Sequence, residues 1–213
     1  VECQEPELVT AQLDAVLEDI PPAAAKTGAL GNAAMVEAIA AAAASFDFPL
    51  VVDPVMISKH GAALLDDDAR AAIRDRLIPR AALLTPNLPE AAALTGERVE
   101  TLGDMKRAAR ALWRMGAGAA LVKGGHRAGD ATDVLYVEGE WHEFSGQREQ
   151  TRHTHGTGCT YSAAITACLA RGLALPLAVL KAKRYIAVAI RTNPGLGHGN
   201  GPVNHHAPAG VDD

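Results

Sequence analysis

The sequence predicts an α/β protein built on a mainly parallel sheet, and three observations carry that prediction. Short runs rich in β-branched residues, "PLVVDPVM" at 49–56, "AALLTPN" at 81–87 and "AALVKGG" at 119–125, are apolar throughout instead of alternating, as strands covered on both faces are. Longer segments with apolar residues at helical spacing separate them. Two further runs, 132–137 and 141–145, joined by "EGE", read as an antiparallel hairpin late in the chain. Such alternation places helices on both faces of the sheet.

Taken in order, residues 5–20 read as an amphipathic helix with Leu8, Val9, Leu13, Val16, Leu17 and Ile20 on one stripe, blocked by Pro21 and Pro22. "AAAKTGALG" at 23–31 reads as a short strand entering a Gly turn, and 32–46 as a helix with Asn32 as N-cap. The strand at 49–56 ends at Asp53-Pro54, and 66–78 is helical. The strand at 81–87 stops at Pro86, a short helix at 89–95 ends at Gly96, and a longer one at 101–115 ends at Gly116. After the hairpin come helices at 157–171 and 177–192, then an irregular tail rich in Gly and Asn. With no linker or internal repeat, residues 1–213 are expected to form one domain.

A chain of 213 residues can bury a sizeable core. Its longest apolar run, near 38–44, is too short to cross a bilayer, so no membrane partner is expected. A net charge of −5 without a basic cluster argues against nucleic acid. Cys3, Cys159 and Cys168 lack metal-ligand spacing and suit reduced thiols; with no signal peptide visible, a cytoplasmic location is expected. His205 and His206 are expected at the surface, and Trp113 and Trp141 as packing residues of the core or its edge.

In a parallel sheet, ligands collect beyond the carboxyl ends of the strands. Asp53, then Asn87 and Glu90, then Lys123 follow three successive strands. Asp53 and Glu90 are hard oxygen donors suited to Mg²⁺ through water. The competing readings are an Asp-Pro turn for Asp53 and a capping box for Asn87 and Glu90. Lys123 can reach phosphate oxygens as a point charge, or be a solvated strand-end lysine. "HTHGTGCTYSAAI" at 153–165 sets Gly156, Thr157, Gly158 and Cys159 at a helix start. Converging amides and the helix dipole make such a turn a nest for an oxyanion or a phosphoryl group. The same position favours a thiolate, so Cys159 can accept a proton; the alternative is a glycine turn with an inert cysteine.

"KTGAL" (26–30), "VVDPVM" (51–56), "LLTPNLPEAAAL" (83–94), "LVKGGH" (121–126) and "THGTGCTYSAAI" (154–165), in this order, resemble the hydroxymethylpyrimidine/phosphomethylpyrimidine kinases of thiamine biosynthesis, in the ribokinase-like superfamily. "GHGNGPVNH" (197–205) is similar to the family's closing segment. The resemblance implies a ribokinase-like three-layer α-β-α fold and a homodimer. It also implies phosphorylation of 4-amino-5-hydroxymethyl-2-methylpyrimidine, and then of its monophosphate, with ATP and Mg²⁺. Carried over by position, Gly156, Thr157, Gly158 and Cys159 form the anion hole, with Cys159 where many related sugar kinases have an aspartate base. Lys123, Gly125, Asn87 and Glu90 serve the nucleotide, Asp53 and Glu90 organise Mg²⁺ and its waters, and Gly28, Ala29 and Val55 face the pyrimidine.

Three departures accompany the resemblance. The family's opening strand and Gly-rich loop have no counterpart after Val1, roughly a fifth of a usual family chain. Gln4, just before the first helix, is not the family's pocket glutamine. His153 stands where Asn is common, and Ala29 where Met is common. Two alternatives stay open on the sequence: a pyridoxal kinase, which shares the cysteine loop, and a non-catalytic ligand-binding relative.

Overall fold

The structure is a computed structural model that describes residues 3–56, 65–125 and 130–208. Its sheet has six strands in the order β1 (Ala25–Thr27), β2 (Leu50–Val52), β3 (Leu83–Leu84), β4 (Ala119–Val122), β5 (Asp133–Val137) and β6 (Glu140–Phe144). The first four pair in parallel; β5 and β6 run antiparallel. The parallel strands are shorter than the apolar runs that announced them, because Asp-Pro and Thr-Pro-Asn turn the chain out of the ladder where the sheet ends. The hairpin turn is Glu138–Gly139, both with positive φ, the geometry that matches the twist of two antiparallel strands.

Helices α1 (Pro6–Asp19), α2 (Ala33–Ala42), α3 (Asp67–Ala72), α4 (Leu88–Thr95) and α5 (Leu102–Arg114) precede the hairpin, and α6 (Thr157–Ala170) and α7 (Leu175–Arg191) follow it. Alternate residues of each strand feed two cores. Val52, Leu84, Ala120 and Val122 join the core built with α2 to α5. Val51, Leu83, Ala119 and Leu121 join the core built with α6 and α7. This three-layer arrangement is the predicted one.

Local chemistry sets the boundaries. Asn32 caps α2 by accepting the Met35 amide at 2.8 Å, as expected. Gly96 ends α4 in the left-handed conformation. The helix expected over 66–78 is regular only to Ala72. It passes through a wider turn at Ile73–Leu77 into a 3₁₀ turn at Ile78–Arg80, where Pro79 has no amide to continue the ladder. The apolar stripe of α1 divides: Val9, Leu13 and Leu17 are half-buried, whereas Leu8 and Val16 are each 52% exposed. Trp113 and Trp141 lie at the surface edge, flanking Tyr136 with ring centroids 5.4 and 4.5 Å away. His205 and His206 are exposed, as expected.

Candidate active site

Parallel pairing brings the carboxyl ends of β1 to β4 to one rim, and the start of α6 meets them there. Asp53 follows β2, Thr85 follows β3 and Lys123 follows β4. All three point to the α6 side because they continue the alternation set by Val51, Leu83 and Leu121.

Asp53 is 2% exposed and Lys123 8% exposed, so the strand-end lysine is not a solvated one. Lys123 Nζ donates to Asp53 Oδ1 at 2.8 Å. Thr85 Oγ1 donates to the same oxygen at 3.2 Å, and Ser162 Oγ of α6 donates to Oδ2 at 3.0 Å. Contacts to both oxygens fix the buried Asp53 carboxylate in one orientation, although Ser162 Oγ also lies 3.0 Å from Cys159 O. The Asp-Pro turn is also real: the Val55 amide bonds Asp53 O at 2.9 Å.

Asn87 and Glu90 form the complete capping box of α4. The Asn87 side chain accepts the Glu90 amide at 2.9 Å, and the Glu90 carboxylate accepts the Asn87 amide at 2.8 Å. Glu90 nevertheless reaches the site. It lies near the Met56 amide, and it feels both Lys123 and Asp53. Burial pushes its carboxyl up to about 7, against the pull of Lys123 and the Asn87 amide and with an upward push from Asp53.

The 156–159 loop takes the expected form. Gly156 is the N-cap residue of α6 in a left-handed conformation that glycine adopts freely. Thr157 N reaches Thr154 O at 3.4 Å, and Thr160 N closes on Gly156 O at 2.8 Å. The amides of Gly158 and Cys159 have no acceptor among the described residues. A Cβ built on Gly158 would lie 3.3 Å from Lys123 Nζ. The ammonium therefore sits beside the positive end of a helix, an arrangement that favours an anion between them. Cys159 is exposed, at the mouth of a groove of about 650 Å³ that runs down between α6 and α7 past Ala163, Ala167 and Tyr185.

Gly28 and Val55 are half-buried and Ala29 is exposed, at the neighbouring strand ends. Gly125 closes the β4 turn with open space around it. His126, last residue of the "LVKGGH" motif, lies outside the described residues. No group of three or more His, Cys, Asp or Glu that could hold a metal occurs among the described residues. The donor set fits a cation held chiefly by phosphates and water, with Asp53 and Glu90 behind it. Sequence reasoning missed Thr85 and Ser162. The signal for Thr85 was its position, two residues after the inward-facing Leu83.

Comparison with known proteins bears on what this rim does. Residues 1–204 match the phosphomethylpyrimidine kinase family. A hydroxymethylpyrimidine/phosphomethylpyrimidine kinase from Streptomyces coelicolor is 49% identical over 93% of this chain and 74% of its own length. The protein of that description from Bacillus subtilis is 43% identical over 94% and 75%. Among solved structures, the ADP complex of Bacillus subtilis pyridoxal kinase aligns with a TM-score of 0.88 at 33% identity, over 96% of this chain and 77% of its own. The phosphomethylpyrimidine kinase from Clostridium difficile aligns with a TM-score of 0.77 at 37% identity, over 88% and 77%. A buried lysine against an amide-lined helix start, in a three-layer α/β fold and within a sequence match of this extent, has one reading: the chain belongs to the phosphomethylpyrimidine kinase family, a group of phosphotransferases.

Proposed function

We propose that the chain transfers the γ-phosphoryl group of ATP to the hydroxyl of 4-amino-5-hydroxymethyl-2-methylpyrimidine, and in a second round to the resulting monophosphate. The observation that carries this reading is the open pair of amides at Gly158 and Cys159 beside the Lys123 ammonium. Phosphoryl transfer needs in-line positioning and stabilised charge more than covalent help. The amides and Lys123 receive the transferred oxygens. Cys159 takes the proton of the attacking hydroxymethyl group, the new O–P bond forms, and the bond to the leaving ADP oxygen breaks. Mg²⁺, when bound with the nucleotide, neutralises charge on the phosphate oxygens. Asp53 holds Lys123 in place, and with Glu90 it would hold a metal ion through water. Asn87 and Gly125 line the nucleotide; Gly28, Ala29 and Val55 face the ring. Residues 1–213 act as one unit, in a homodimer in the cytoplasm.

Likeness to pyridoxal kinases at a TM-score of 0.88 supports a second reading, phosphorylation of pyridoxal by the same groups. A coupled assay of ADP release with hydroxymethylpyrimidine, its monophosphate and pyridoxal separates the two. Turnover with both pyrimidines is expected. Turnover with pyridoxal alone overturns the first reading, and turnover with none favours a non-catalytic relative.

A further inference from the structure

A second buried charged cluster lies behind the site, and the chemistry above does not use it. Asp133, at the start of β5, is 1% exposed. Its Oδ1 accepts the Gly124 amide at 2.8 Å, and its Oδ2 receives Lys183 Nζ of α7 at 2.6 Å. Lys183 also donates to Ala131 O at 2.7 Å and lies 5.9 Å from the centre of the Tyr161 ring on α6. The Tyr161 hydroxyl is buried with no partner at hydrogen-bonding geometry. Burial, and then the neighbouring Asp133 charge, hold it well above its ordinary pKa. One carboxylate thus ties α7 to the turn that follows Lys123 and lies beside the first turns of α6.

A strand-end ion pair could serve stability alone, and such pairs often contribute little to it. The contact with Gly124 argues for more. Gly124 packs closely on the residue before β5, where an added Cβ would meet Thr132 O at 1.8 Å. Its amide is the first backbone group beyond Lys123, whose own amide is fixed on Pro86 O at 2.8 Å. The peptide units on both sides of Lys123 are therefore pinned, one by the turn after β3 and one by Asp133.

We infer that Asp133, held by Lys183, is a positioning residue for phosphoryl transfer: it fixes the Gly124 amide so that the Lys123 ammonium stays between Asp53 and Gly158. This rests on the kinase reading above. Asp133 is buried and paired with Lys183. It acts through Lys123, and a displacement of that ammonium by about an ångström is enough to lower turnover on the order of a hundredfold.

The test uses the full chain and two variants. Asp133→Leu/Lys183→Met removes both charges together, an exchange that buried ion pairs often tolerate. Asp133→Asn keeps an acceptor for Gly124 and drops the charge. The expected result for the double variant is kcat lowered at least about tenfold, with KM for the pyrimidine within about threefold of the parent. Asp133→Asn is expected to recover kcat to within about threefold, although its melting temperature falls. The double variant turning over within about twofold of the parent overturns the inference. So does a folded Asp133→Asn with kcat as low as the double variant, which would make the charge the operative feature. Hydrogen exchange of the Gly124 amide gives a readout without catalysis. Protection in the parent and in Asp133→Asn is expected; fast exchange in the parent overturns the inference even if the double variant does not fold. A parent inactive on every substrate counts against the kinase reading alone, because amide protection still decides the geometry.

Discussion

Lys123 Nζ and Asp53 Oδ1 meet at 2.8 Å across an intervening strand, and Thr85, just after that strand, donates to the same oxygen. A carboxylate this deeply buried depends on its cation. Lys123→Met is expected to cost about 3–5 kcal/mol in urea unfolding, because Asp53 is left without a counter-charge. Ser162→Ala removes only a hydroxyl donor and is expected to cost about 1–3 kcal/mol. Equal losses in the two variants would show that the ion pair carries no more of the site's order than the hydroxyl does.

Cys159→Ala tests the proposed role of Cys159 as proton acceptor. Loss of a positioned base typically lowers rates by about 10²–10⁴. Because the nest is made of backbone amides, ATP affinity measured by calorimetry is expected to stay within about twofold. Undiminished kcat in this variant removes Cys159 from the chemistry.

Glu90 gives the site a pH signature in stability. Its folded carboxyl titrates at about 7 against an ordinary value of 4.5. Between those values the folded state keeps a proton that the unfolded chain has lost, so this group makes stability fall as pH rises through the window and level off above it. Glu90→Gln retains an acceptor for the Asn87 amide and does not ionise. Unfolding free energies of parent and variant, measured from pH 4 to 8, are expected to diverge by about 1–3 kcal/mol in favour of the variant as pH rises. Parallel curves would mean that the carboxyl is solvated.

The two glycines near Lys123 should respond differently to alanine. At Gly158 the new Cβ would lie 3.3 Å from Lys123 Nζ, the end of a long side chain that can shift. The variant is expected to fold and to lose about tenfold in kcat as the ammonium is displaced. At Gly124 the Cβ would meet backbone at 1.8 Å, and soluble expression itself is expected to fail. Normal turnover of Gly158→Ala would show that the ammonium does not need its present place.

Much of this architecture was legible because local pattern and tertiary environment agree. The continuous apolar runs at β2 and β4 could only be strands covered on both sides, and Asn32, Gly96 and Gly156 act in place as their residue types suggest. The stripe on α1 misled because spacing shows that a face is apolar without showing what covers it. Here only the Val9, Leu13 and Leu17 side is half-buried, and α1 packs on α2. At the site, residues in recognisable turns were found, and residues supporting them from elsewhere were not. Ser162 is 109 positions from Asp53, and Lys183 is 50 from Asp133. No local rule of spacing links such pairs; β-sheet register and the docking of α6 and α7 do.

Resonances of the backbone amides proposed to hold the phosphate give the most direct test. With ¹⁵N-labelled protein titrated with a non-hydrolysable Mg-ATP analogue to saturation, the Gly158 and Cys159 amide signals are expected to shift most, together with the Lys123 side-chain ammonium. Saturable nucleotide binding that leaves both amides unmoved would contradict the account, since the phosphate would then be held elsewhere.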